Sequence, residues 1–182
     1  MGQFKNALVS VANKQGLVEF IKPFSDSGLR IISTGGTAKH LQDSQINITP
    51  VHEQTGFEEV MNGRVKTLHP NIHMALLARG YEKSDLETLE KFDLQPIDLV
   101  VGNLYAFEQA LKDGVEDQAI TEFIDIGGPS FLRAAAKNYH RIAVVCDPAD
   151  YAWILRKIKN NEELSLDDRK KLAAKVFSHT SV

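Results

Sequence analysis

Short, nearly continuous apolar runs alternate along the chain with longer stretches whose apolar residues fall three and four apart. The runs at residues 6–11, 29–33, 46–51, 98–104 and 141–146 read as buried strands, because a strand covered on both faces needs no polar alternation. Pro50 weakens the end of the third, since proline cannot donate to a ladder. Residues 16–24 have helical spacing, with Leu17, Val18, Phe20 and Ile21 apolar. Residues 35–37 turn into a helix carrying Ala38 and Leu41, and residues 55–61 form a short helix. Residues 84–92 form another, with Ser84 as cap and Glu87 at capping-box spacing. Helical segments follow near 107–112 and 117–123. Pro148 starts a helix to about residue 158, and from residue 166 Leu172, Ala173, Val176 and Phe177 share one side of the last. Residues 74–78 fit strand or helix, and residues 62–71 have no period and read as a functional loop. This alternation predicts an α/β fold, a mainly parallel sheet with helices on both faces.

Composition narrows the function without choosing it. A length of 182 residues suits a single domain with a substantial core. The formal charge of −3 offers no basic excess for nucleic acid. No apolar run is long enough to cross a bilayer, and the N-terminus lacks a signal-peptide pattern. The single cysteine, Cys146, fits a reducing cytoplasm. It follows an apolar run and reads as a buried structural thiol rather than a nucleophile.

In such folds ligands collect beyond the C-terminal ends of the strands. Four groups fall at that rim: the Ser10 to Lys14 exit, residues 33–37, residues 103–105, and Asp125 at the end of the apolar run 123–126. Ser33-Thr34-Gly35-Gly36-Thr37 reads as a phosphate cradle, hydroxyls flanking two glycines directly before a helix. A plain helix start competes with that reading. Lys14 supplies the matching charge, and together they point to a phosphomonoester. In residues 63–70, Arg64 and Lys66 point the same way if the loop is extended, with Val65 opposite. His69 and His73 are four apart, but Pro70 disfavours the helix that would pair them, and no metal is expected. The stretch 125–138 offers an acid, a glycine-rich helix start with free N–H groups, and the cations Arg133 and Lys137. Its plainer reading is a βα turn in which Asp125 serves the helix dipole.

Residues 33–37, 63–70, 103–105 and 125–128 with 133–138 together resemble the IMP cyclohydrolase domain, the N-terminal part of the bifunctional purine biosynthesis protein. The resemblance runs from about Ala7 to the last residue. It implies a methylglyoxal-synthase-like three-layer α/β sandwich and a purine ribonucleotide substrate. Formylaminoimidazole carboxamide ribonucleotide would be closed to IMP with loss of water and without a cofactor. It also implies catalytic roles for Lys66, Tyr105, Asp125 and Lys137. Lys14, Thr34, Gly35, Gly36, Thr37, Arg64 and Thr67 would surround the nucleotide, with Ser10 at the same rim.

For the ring closure itself, Lys66 and the N–H groups near Ile126 and Gly127 are candidates for the developing oxyanion. Asp125, Tyr105 and Lys137 are candidates for a proton relay with roles unassigned. From Pro129 to Lys137 a helix advances roughly 12 Å, so Lys137 reaches the site of Asp125 only if the helix lies along the pocket or turns back toward it.

The sequence departs from the family at Ala12 and Asn13, where serine and aspartate are common, at Ala106 in place of proline, and at Met74-Ala75. The transformylase domain is expected to be absent from a chain ending at Val182, and a homodimer is implied by the family alone. A methylglyoxal synthase-type phosphate lyase and a non-catalytic nucleotide-binding regulatory domain are the competing readings.

Overall fold

The computed structural model describes residues 3–104 and 107–181. Its centre is a parallel sheet of β1 (Asn6–Val11), β2 (Arg30–Ser33), β3 (Thr49–Pro50), β4 (Leu99–Asn103) and β5 (Ala143–Val145), in the order β3-β2-β1-β4-β5. The chain builds outward from β1 through β2 to β3, then crosses back and builds the other way from β4 to β5. The switch lies between β1 and β4, where the connections diverge and leave a crevice at the strand ends.

Alternation along the strands sorts the core into two layers. Ala7, Val9, Val11, Ile31, Leu99, Val101, Ala143 and Val145 face one side. They pack against α1 (Leu17–Asp26), α2 (Gly35–Asp43) and α9 (Tyr151–Lys159). Phe20 stacks on Tyr151 there, with ring centroids 4.2 Å apart. Leu8, Ile32, Val100 and Val144 face the other side. They meet α3 (Val51–Thr55), α4 (Pro70–Leu77), α8 (Gly127–Lys137) and the Ala173–Val176 face of α10 (Leu166–His179). The remaining helices are α5 (Lys83–Lys91), α6 (Phe107–Lys112) and α7 (Asp117–Ile120), with 3-10 turns at Met61–Gly63, Thr121–Phe123 and Pro148–Asp150. No helix among the described residues is long and apolar enough to cross a membrane.

Several local expectations shift. The third strand shrinks to an edge pair, because Pro50 ends the ladder and the next residues already wind into α3. That helix covers residues 51–55, upstream of the expected 55–61. α5 starts at Lys83, so Ser84 lies inside it rather than capping it. Its first turn is held instead by Asp85, which accepts from the Arg79 backbone N–H and guanidinium at 2.8–2.9 Å. The capping box is at α10, between Ser165 and Asp168. Residues 123–126 are not a strand. Phe177 is partly exposed, not buried with its neighbours in α10. It stands beneath the Arg133 guanidinium, 5.2 Å from the ring centroid.

Candidate active site

A cavity of about 550 Å3 opens at the C-terminal ends of β1, β2 and β4, at the topological switch. The loop after β1 brings Lys14 to its wall. That loop is shaped by Asn103 from the end of β4, whose Oδ1 accepts from the Ala12 and Asn13 N–H groups at 2.8 and 2.9 Å. Asn103 lines the cavity as well. Its position at a strand end beside the switch was visible in the sequence, but its role as a brace on the neighbouring loop was not.

The turn after β2 leads into α2 through Gly35, whose φ of +43° suits glycine. The first N–H groups of α2 have no acceptor within the helix and point out of its N-terminus. Thr34 and Gly36 line the cavity, and a Cβ added at Gly36 would meet nothing within 4 Å, so the backbone is open to close approach. Gly35 shapes this turn without itself lining the cavity. The Ser10 hydroxyl meets that of Thr34 at 2.9 Å. Thr37 is nearly buried, and its hydroxyl both donates to the Val11 carbonyl and accepts from the Val11 N–H, each at 3.0 Å. Thr37 therefore bolts α2 to β1.

The loop before α4 is a tight hairpin, not an extended strand, closed by a bridge between Val60 and Val65 and turned at Gly63 with φ +85°. Arg64 and Lys66 nonetheless both reach the cavity, and Val65 does not. Thr67 is buried against the start of α8, where a Cβ on Gly127 would come within 2.8 Å of its hydroxyl oxygen. Pro70 does not block a helix here. It opens α4, with His69 as N-cap accepting from the Asn71 N–H. His73 then reaches back to the His69 carbonyl at 3.1 Å and forward to the Ser130 hydroxyl at 3.2 Å, tying this loop to α8. The described residues hold no group of three or more His, Cys, Asp or Glu able to share a metal.

At the head of α8, the Asp125 carboxylate accepts from the Gly128 N–H at 2.7 Å. The plainer reading of Asp125 is thus part of the truth, since one oxygen caps the helix. A side chain at Gly128 would collide with that carboxylate, which explains this glycine. Pro129 has no N–H to offer, so the open donor inside the helix head is that of Gly127, next to Ile126. Asp125, Ile126 and Gly127 all line the cavity. Its wall thus carries the cations Lys14, Arg64 and Lys66, the anions Glu122 and Asp125, and the N-termini of two helices. That balance favours an anionic ligand.

Lys137 is not brought to this cavity. It is exposed at the far end of α8, about 15 Å along the axis from Gly127 at 1.5 Å per residue. Its neighbour Asn138 donates to the carbonyls of Leu76 and Ala78 at 2.8 and 2.9 Å. Arg141 donates to those of Ala75, Leu76, Ala78 and Ile97 at 2.8–3.2 Å. This part of the motif caps the C-terminus of α4. Arg133 donates to the hydroxyl of Thr180, the C-cap of α10, at 3.1 Å. Tyr105 and Ala106 lie outside the described residues. Cys146 is buried, and burial pushes its thiol up to about 11, as an inert structural cysteine requires.

The MGS-like domain model matches residues 16–130, more than half of the chain. The chain belongs to the MGS-like domain family. Residues 135–182 match the AICARFT/IMPCHase bienzyme model. Among similar proteins, the bifunctional purine biosynthesis protein PurH of Aquifex aeolicus is 49% identical over 175 residues, covering 96% of this chain and 34% of that protein. PurH of Bacillus subtilis is 47% identical over 178 residues, covering 97% and 35%. The chain therefore spans about a third of the length of these relatives. A crystal structure of ForH superposes with a TM-score of 0.84 at 28% identity, covering 97% of this chain and 93% of that one. These matches bear out the resemblance carried by residues 33–37, 63–70, 103–105 and 125–128 with 133–138.

Proposed function

We propose that this chain is an IMP cyclohydrolase, closing formylaminoimidazole carboxamide ribonucleotide to IMP with loss of water. The observation that carries the reading is the convergence, in one cavity, of the Gly35-Gly36 turn with Lys14, the Lys66 ammonium, and Asp125 beside the free N–H of Gly127. The phosphate sits on the turn after β2, near Ser10, Lys14 and Thr34. That leaves the base end of the ligand toward Lys66 and α8.

Ring closure joins a carboxamide nitrogen to the formyl carbon of the same molecule, so positioning supplies much of the rate. The formyl oxygen gains negative charge as the bond forms, and Lys66 with the Gly127 N–H stabilises it. The nitrogen must lose a proton, and Asp125 accepts it through the carboxylate oxygen not committed to Gly128. The oxygen then leaves as water, taking the proton held by Asp125 and a second from the formamido nitrogen as the ring C=N bond forms. Tyr105 is kept as a candidate in the proton relay on the family resemblance. Lys137 is left out of this reading, because it lies at the far end of α8 and does not line the cavity.

The names of the relatives support purine biosynthesis as the setting. A transformylase, in the same polypeptide or a separate one, would supply the formylated substrate. The lone buried thiol suits a reducing cytoplasm. A direct assay decides the matter: purified protein with the formylated ribonucleotide should give IMP, read by the absorbance of the closed purine. Release of methylglyoxal from a triose phosphate, or tight IMP binding without turnover, would replace this reading with one of its rivals.

A further inference from the structure

Glu122 sits in the wall of a cavity whose other features favour an anion, and its carboxylate is ion-paired with Arg64. The pairing raises the guanidinium's affinity for its proton, through the hydrogen bond first and the opposite charge second. The two side chains come from segments 58 positions apart in sequence, the hairpin before α4 and the 3-10 turn after α7. They are 62% and 59% exposed, so water can replace either partner without leaving a charge stranded in the protein interior. The segment carrying Glu122 is lightly anchored, since neither α7 nor the Thr121–Phe123 turn contributes a buried residue. Asp125 differs on each count, being partly buried and fastened to the head of α8.

We propose that Glu122 competes with the ligand for Arg64, and so sets how tightly the cavity holds an anionic nucleotide. The inference rests on the reading of the cavity as a nucleotide monophosphate site. An incoming nucleotide exchanges one partner of Arg64 for another, and part of its attraction to the guanidinium is offset by the loss of Glu122. The repulsion between Glu122 and the ligand works in the same direction. The device keeps a cation correctly aimed while limiting the hold on product.

The decisive variant is Glu122→Gln, which keeps shape and removes the competing charge. Calorimetric titration with IMP should show about two- to fivefold tighter binding, the scale of an exposed ion pair. Glu122→Asp should return most of the way to the parental affinity. In an Arg64→Met background, Glu122→Gln should change affinity little. A merely structural role for Glu122 would loosen binding, so the sign of the change separates the two. Unchanged or weaker binding by a folded Glu122→Gln protein overturns the competition, as does tightening that persists without Arg64. If the parent binds IMP and only these changes fail, the nucleotide site stands and Glu122 is a bystander. If the parent does not bind IMP, the nucleotide reading falls and this inference with it.

Discussion

At the C-terminal ends of β1, β2 and β4, the cations Lys14, Arg64 and Lys66 face a cavity; at the opposite end of the sheet, the Arg141 guanidinium faces main-chain carbonyls. Both ends are rich in cations, and a cavity of about 420 Å3 lies beside Arg141 as well. The difference is how the donors are spent. Arg141 is largely buried and gives its protons to the end of α4 and to Ile97, while Asp98 stands 3.5 Å away. Burial pulls its proton affinity down, with Asp98 opposing. Such a group has little left for a ligand. Among the described residues, the Gly35-Gly36 turn, the Gly127 N–H and Lys66 have no comparable commitments inside the fold. A site is marked less by the residue types it gathers than by the hydrogen-bonding capacity the fold leaves unspent.

Removing charge at the open end should have the largest effect. Lys66→Met and Asp125→Asn should each lower kcat by about two orders of magnitude or more. The affinity for IMP should change much less, because the charge and the proton they handle arise only during ring closure. The double variant should lose less than the product of the single losses. Thermal melts come first, since Asp125 also caps α8. Two folded variants that cyclise substrate at the parental rate would end the catalytic assignment.

At the closed end the expected effect is on stability alone. Arg141→Met strands several buried carbonyls and should cost about 3 kcal/mol, or a fall in Tm of roughly 6–12 °C for a chain of this size. The Kd for IMP, measured well below the melt, should stay within about twofold of the parent. Loss of affinity with no loss of Tm would mean that Arg141 serves a ligand after all.

The smallest effects refine the boundary of the site. Gly36→Val meets open space, so the fold should hold while IMP binding weakens by about tenfold as the backbone is screened from the phosphate. Lys137→Met should leave kcat and KM within about twofold. A large loss of kcat in a folded Lys137→Met protein would return that residue to the mechanism and demand a route to the cavity other than its own helix.

The features legible in the residues alone are local. Continuous apolar runs at 6–11, 98–104 and 141–146 specified buried strands, because burial on two faces leaves no room for polar alternation. The turn after β2 was legible because two glycines between hydroxyls, followed by a helix, place N–H groups in front of the chain with no distant help. Cys146 was legible as a buried thiol from its apolar neighbours alone. Residues 125–138 were legible as a motif but not in their division of labour. Asp125 and Gly127 stay at the cavity, whereas the helix between them and Lys137 carries Asn138 and Arg141 to the end of α4. The tertiary structure alone decided which donors are free, because a guanidinium or hydroxyl is spent on partners that lie far away in sequence. Arg141 finds its acceptors more than 40 residues back, Thr37 finds Val11, and Arg64 finds Glu122. The strand order did the same for the crevice: nothing in the linear pattern says that β4 returns to lie beside β1, yet that return is what opens the cavity at their ends.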